Sequence, residues 1–198
     1  MLLLNPGNFP DYELLDCGDF EKLERFGNYI TIRPEPQAVW PKAVSPKEWN
    51  KTAHVRFVPK SGSSGVWQKL QEMPDRWHMG FEIEKGIAIK FRLALTSFKH
   101  VGIFPEQAVN WDYIFKQTRR LKSPSPKVLN LFAYTGASSL AAKAAGADVT
   151  HLDSVRQVVT WARENMELSG LDNIRWVIED AMTFVRREHT RGKKYNGI

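Results

Sequence analysis

The sequence predicts an α/β protein, a small β-rich region followed by a parallel sheet of βαβ units, and three observations lead there. Up to about residue 95 the apolar runs are short and broken by turn residues. After residue 127, strand-like and helix-like segments alternate. The first of these later strands runs into a turn containing Gly136, and the next two end near Asp153 and Asp180.

Taken in order, strands are expected at residues 12–15, 29–33, 54–58, 77–83 and 86–95, separated by breakers such as Arg33-Pro34-Glu35-Pro36 and Lys60-Ser61-Gly62-Ser63-Ser64-Gly65. Trp40, Trp49, Trp67 and Trp77 can fill the core of a small sheet domain, or stack on nucleobases. Residues 106–121 carry Ala108, Val109, Trp111, Tyr113, Ile114 and Phe115 in a helix-compatible pattern that ends at a Ser-Pro-Ser-Pro breaker. A strand over 128–133, a small-residue helix over 137–145, a strand over 148–152, a helix over 155–169 and a strand over 174–178 follow. Three regions result: an N-terminal β-rich domain over 1–95, a connecting helix and linker over 96–127, and the parallel-sheet domain over 128–198.

The composition, 42% hydrophobic and 25% charged, is that of a globular chain. Cys17 is the only cysteine, which excludes an intramolecular disulfide framework or a cysteine metal cluster. The opening Met-Leu-Leu-Leu breaks at Asn5 and Pro6 without a basic flank or long apolar run, so no export signal or membrane span is expected and the cytoplasm is the expected compartment. A net charge of +6 invites a nucleic-acid partner. Much of it sits in Arg186, Arg187, Arg191, Lys193 and Lys194, where a solvated helix end accounts for it as well as RNA does. His54, His78, His100, His151 and His189 are scattered, so no metal site is expected.

The helix starting near Ala137 aims its amide hydrogens at whatever fills the turn Ala133-Tyr134-Thr135-Gly136, the usual place for a nucleotide-like ligand. The turn lacks the three glycines of a dinucleotide fingerprint, which disfavours a pyrophosphate. Asp153, 17 residues after Gly136, ends the second strand, where a carboxylate can accept from both hydroxyls of a ribose. Asp180, on the same rim, can accept from the exocyclic amine of adenine. Each aspartate alone could equally be a helix cap.

The segments Lys127-Val128-Leu129-Asn130-Leu131-Phe132-Ala133-Tyr134-Thr135-Gly136, Val149-Thr150-His151-Leu152-Asp153-Ser154, Trp161-Ala162-Arg163-Glu164-Asn165 and the strand end at Asp180 resemble the class I S-adenosylmethionine-dependent methyltransferases related to the bacterial large-subunit rRNA (cytosine) methyltransferases. The resemblance spans essentially the whole chain. It implies a Rossmann-like domain, S-adenosylmethionine as cofactor, and rRNA as partner. Cofactor contacts are implied from Asn130, Phe132, Tyr134, Thr135, Gly136, Asp153, Ser154, Asp180 and Ala181, with Phe104 and Gln107 of Gly102-Ile103-Phe104-Pro105-Glu106-Gln107 helping to close over it. The family continues from a segment like Lys194-Tyr195-Asn196-Gly197-Ile198 into a fourth strand ending in Asp-Pro-Pro, so the catalytic residues are expected downstream of Ile198, the chain by itself is expected to be inactive, and the strand over 128–133 is expected to lie bare on one edge. Cys17 matches no motif position. A nicotinamide-dependent oxidoreductase and a non-catalytic cofactor- or RNA-binding fragment are the alternative functions.

Overall fold

A computed structural model describes residues 9–60 and 64–198. It divides into two compact units. One comprises residues 9–79 with Leu93–Ile103; the other comprises Gly80–Arg92 with Phe104–Ile198.

The first unit holds a five-stranded sheet in the order β1-β2-β3-β4-β5, formed by Tyr12–Gly18, Glu21–Phe26, Tyr29–Pro34, Val55–Pro59 and Gly65–Lys69. Neighbours are antiparallel except β3 and β4, and helix α1, Pro46–Thr52, lies in the connection between that parallel pair. A Ser45/Glu48 capping box and Pro46 in the first turn start α1. Its Trp49 is fully buried with Leu23, Ile32 and Ala53 and donates from Nε1 to Asp16 Oδ2 at 2.8 Å. Of the four tryptophans expected in the core, Trp49 and Trp77 are buried, Trp67 is half-buried and Trp40 is exposed. Strand β2, absent from the sequence reading, carries a buried Glu24 paired with buried Arg33 of β3 at 2.6 Å, and Glu24 also accepts from Tyr12.

A hairpin of β6, Arg76–Glu84, and β7, Ile87–Ala94, is divided between the units. In the second unit Phe81 and Phe91 pack on Trp111 of helix α2, Ala108–Arg120, which follows a single 3-10 turn, Pro105–Gln107. Then come β8 (Lys127–Leu131), α3 (Ala137–Ala144), β9 (Asp148–Asp153), α4 (Arg156–Leu168), β10 (Ile174–Ile178) and α5 (Ala181–Thr190). The strands form a parallel sheet in the order β10-β9-β8. Strand β9 is central and buried over Val149–Leu152, as a strand covered on both faces must be. Leu129, Leu152, Ala181 and Phe184 form the core beneath it.

The outer edge of β8 is not bare along its whole length. Gly197 pairs with Val128 in parallel, Leu129 donates to the Gly197 carbonyl at 3.0 Å, and Asn196 exchanges hydrogen bonds with Lys127. Tyr195, donating to the buried Glu188 at 2.7 Å, seats this segment. Among the described residues no helix is long and apolar enough to cross a membrane.

Candidate functional site

Register decides which residues share a rim. Leu131 lies beside Leu152, and Ile178 lies beside Asp153, so all three strands end together. Phe132, Asp153 and the Glu179-Asp180 corner therefore crowd one end of the sheet, with exposed apolar surface from Phe132, Val155, Ile178 and Met182 around the carboxylates.

The turn after β8 alternates through left-handed backbone: φ is 55° at Phe132, 50° at Tyr134 and 92° at Gly136. Glycine adopts this conformation freely, whereas a residue with a Cβ loses about 1–2 kcal/mol there. Two aromatic residues hold it because the surroundings over-determine the turn. Ala133 N–H donates to Leu152 O (3.0 Å), Gly136 N–H donates to Ala133 O (3.0 Å), Tyr134 N–H donates to Asp153 Oδ2 (2.9 Å), and Thr135 C=O accepts from Asn165 Nδ2 (2.9 Å). Gly136 also faces α4, where an added Cβ would stand 3.0 Å from the Ala162 Cβ.

Asp153 holds its own shape in the same way: Oδ1 accepts from Val155 N–H at 3.0 Å while Oδ2 holds the turn. Each oxygen keeps a further lone pair for a ligand hydroxyl. Asp180 is the N-cap of α5, its Oδ1 accepting from the amide and hydroxyl of Thr183 at 2.9 and 3.0 Å. Those bonds hold its exposed carboxyl below the ordinary aspartate range. The capping role weighed for a strand-end aspartate thus operates at Asp180.

The other sequence-derived candidates fall in different places. The Phe104 ring lies 5.2 Å from that of Tyr134, centroid to centroid. Gln107 is exposed at the start of α2 and its Oε1 accepts from Asn110. Ser154 is exposed on the rim, whereas the Ala181 side chain belongs to the core. Asn130 is turned away from the rim into a chain: its Nδ2 donates to Ser139 Oγ at 2.9 Å, and Ser139 Oγ meets His151 Nδ1 at 3.0 Å. His151 is fully buried, and burial holds its pKa down at about 4, so this chain is neutral scaffolding behind the turn. A cavity of about 280 Å³ between α2 and the outer flank of β8 contains neither Asp153 nor Asp180 in its lining. Among the described residues no group of three or more His, Cys, Asp or Glu side chains could hold a metal ion.

A glycine-terminated turn braced by an acid from the next strand, opposite an amide hydrogen row at a helix start, is the geometry of an adenosine-type cofactor site. A family model for S-adenosylmethionine-dependent methyltransferases matches residues 52–189, well over half of the chain. The chain belongs to this family. Among solved structures of S-adenosylmethionine-dependent methyltransferases, one from Agrobacterium tumefaciens is 40% identical with a TM-score of 0.86, covering 94% of this chain and 58% of that one. The protein SMU.776, solved in complex with S-adenosylhomocysteine, shares the fold at 18% identity and a TM-score of 0.68, over 94% of this chain and 50% of its own. The ribosomal RNA large subunit methyltransferase K/L of Shewanella baltica is 37% identical over 103 residues, 49% of this chain and 13% of that protein. The chain therefore spans a small part of its curated relative and between 50% and 58% of these two solved structures.

The sequence places Asn165 in the Trp161–Asn165 segment that resembles the family but gives it no part in the site, whereas in the structure it is fully buried and bonds to the turn from α4. Sequence reading also missed the strain at Phe132 and Tyr134. An asparagine at a buried helical position, where its amide has to find partners, was the available signal.

Proposed function

We propose that this chain binds S-adenosylmethionine across the C-terminal ends of β8, β9 and β10, as the cofactor-binding part of an enzyme that methylates RNA, an rRNA base being the acceptor. The observation that carries the reading is Asp153, fixed by the amides of Tyr134 and Val155 with acceptor capacity left on both oxygens. In this reading Asp153 accepts from both ribose hydroxyls, and Asp180 accepts from the adenine amine at the edge of the rim. Val155, Ile178 and Met182 offer the apolar faces against which a planar base loses water, and Phe104, Tyr134 and Phe132 border the remaining side. The bound cofactor supplies an electrophilic methyl group on a cationic sulfur. What the chain's own residues supply is position, which can account for much of the rate of a bimolecular transfer. The RNA acceptor is supported by the rRNA methyltransferase relatives.

The test is a calorimetric titration of the chain with S-adenosylhomocysteine and, separately, NAD. Heat of binding with the first and none with the second is expected, and the reverse overturns the reading. Methyl incorporation into unmodified rRNA, measured for the gene product that carries this sequence, tests the acceptor; incorporation into protein but not RNA would refute it.

A further inference from the structure

Asn165 joins helix α4 to the turn after β8 by a side-chain hydrogen bond. Its side chain is fully buried and bonded in two directions, Nδ2 donating to Thr135 O at 2.9 Å and Oδ1 accepting from Arg92 N–H at 2.8 Å. Only one amide orientation satisfies both partners, because a flipped amide would set oxygen against oxygen and N–H against N–H. The Thr135–Gly136 peptide is consequently held from both sides: its carbonyl by Asn165 and its N–H by Ala133 O. Glycine is where such a clamp matters, since without a Cβ little else resists rotation of that peptide plane.

The same face of α4 shows that Asn165 differs from its neighbours. Trp161, Asn165 and Ser169 repeat every fourth residue and bond to alternate residues of β7: Trp161 Nε1 donates to Arg92 O at 2.7 Å, and Ser169 Oγ accepts from Lys90 N–H at 2.8 Å. They satisfy backbone groups of a strand that, among the described residues, pairs within its sheet only with β6. Asn165 alone of the three is bonded to the turn as well.

We infer that Asn165 is a positioning residue for cofactor binding, acting by locking the Thr135–Gly136 peptide so that Tyr134 and Gly136 keep the left-handed conformations the site requires. This rests on the cofactor site proposed above. The experiment compares Asn165→Ala, Asn165→Asp and Trp161→Phe by S-adenosylhomocysteine titration, and by hydrogen exchange of the Gly136 amide without ligand. Trp161→Phe breaks one α4–β7 bond without touching the turn and serves as the control for general loosening. Asn165→Asp keeps the acceptor for Arg92 but, ionised, has no donor for Thr135, so it reads the turn arm even if Asn165→Ala folds poorly.

Both Asn165 variants are expected to lose at least about tenfold in affinity, and Trp161→Phe less than about threefold. Gly136 exchange should accelerate in the Asn165 variants alone. Equal losses in Asn165→Asp and Trp161→Phe, or unchanged Gly136 exchange in a folded Asn165 variant, overturn the inference. Failure of the wild-type chain to bind S-adenosylhomocysteine would sink the site assignment instead, while the exchange comparison would still judge the lock.

Discussion

Replacing Asp153 by Asn tests the site most sharply, because the change is nearly isosteric and its consequences can be worked bond by bond. The carboxylate accepts one backbone amide on each oxygen, Tyr134 N–H at 2.9 Å and Val155 N–H at 3.0 Å. The carboxamide keeps one acceptor and turns a donor toward the other amide, so one of the two bonds is lost in the free protein. A hydrogen bond to a charged acceptor contributes about 1.5–3 kcal/mol. The ligand feels that loss twice, through a misplaced Tyr134 and through one fewer acceptor for the ribose. Affinity for S-adenosylhomocysteine should fall about ten- to a hundredfold. The melting temperature should drop by several degrees, since about 1 kcal/mol corresponds to about 2–4 °C in a chain of this size. Asp148→Asn, at the opposite end of the same strand, makes the same change in net charge and is the control. Calorimetry on the folded proteins decides: equal affinities in wild type and Asp153→Asn would remove Asp153 from the site.

Three further outcomes are expected. Phe132→Gly should raise the melting temperature by about 1–3 °C, because relief of about 1–2 kcal/mol of left-handed strain outweighs the roughly 0.5–1 kcal/mol of added freedom in the unfolded chain; a lower temperature would show that the exposed ring stabilises the free protein. Gly136→Ala should destabilise by about 2–3 kcal/mol, combining φ of 92° with a Cβ placed 3.0 Å from Ala162, as read by urea unfolding; an effect under about 0.5 kcal/mol would mean the turn relaxes freely. Acid should unfold the protein early: burial lowers His151 and His100 to about 4 from 6.5, so the unfolded chain takes up their protons first. Stability then declines as pH falls from 6.5 toward 4 and is unaffected by these groups above that window. His151→Gln should flatten the decline in urea titrations at pH 7 and pH 5, and an undiminished slope would show that His151 is not its source.

Periodicity made the second unit legible. The strand expected over 174–178 is β10, and the helices expected over 137–145 and 155–169 differ from α3 and α4 by one residue at each end that moved. There β9 is a covered, apolar run over Val149–Leu152, and α3 lies between Gly136 and Gly146. The first unit was read less completely because its elements break the rules that make elements visible. Strand β2, Glu-Lys-Leu-Glu-Arg-Phe, looks like a solvated segment until Arg33 from the neighbouring strand neutralises Glu24 inside the sheet. Helix α1 has only seven residues, too few for a period, and it declares itself by Ser45, Pro46 and Glu48 alone. Between Leu14 and Asp16 the pairing shifts register, which leaves Leu14 and Leu15 exposed and spoils the alternation of β1.

The site was legible as a set of strand ends and illegible as a mechanism of support. Gly136 and Asp153 stood out as candidates by their combination at neighbouring strand ends, since a turn glycine or a capping aspartate alone has a structural use, as Asp180 at the start of α5 shows. The positive φ values at Phe132 and Tyr134 could not, since nothing about those residue types favours left-handed backbone. The conformation is imposed from outside the turn, by Asp153 on the amide of Tyr134 and by Asn165 on the carbonyl of Thr135. A turn with one glycine can therefore hold a shape for which other binding turns use several, provided that β9 and α4 supply the constraint. In the cofactor reading proposed above, Asp153 has two duties, one to the backbone and one to the ligand, and the first makes the second accurate: a carboxylate already fixed by two amides loses little freedom when it accepts two hydroxyls.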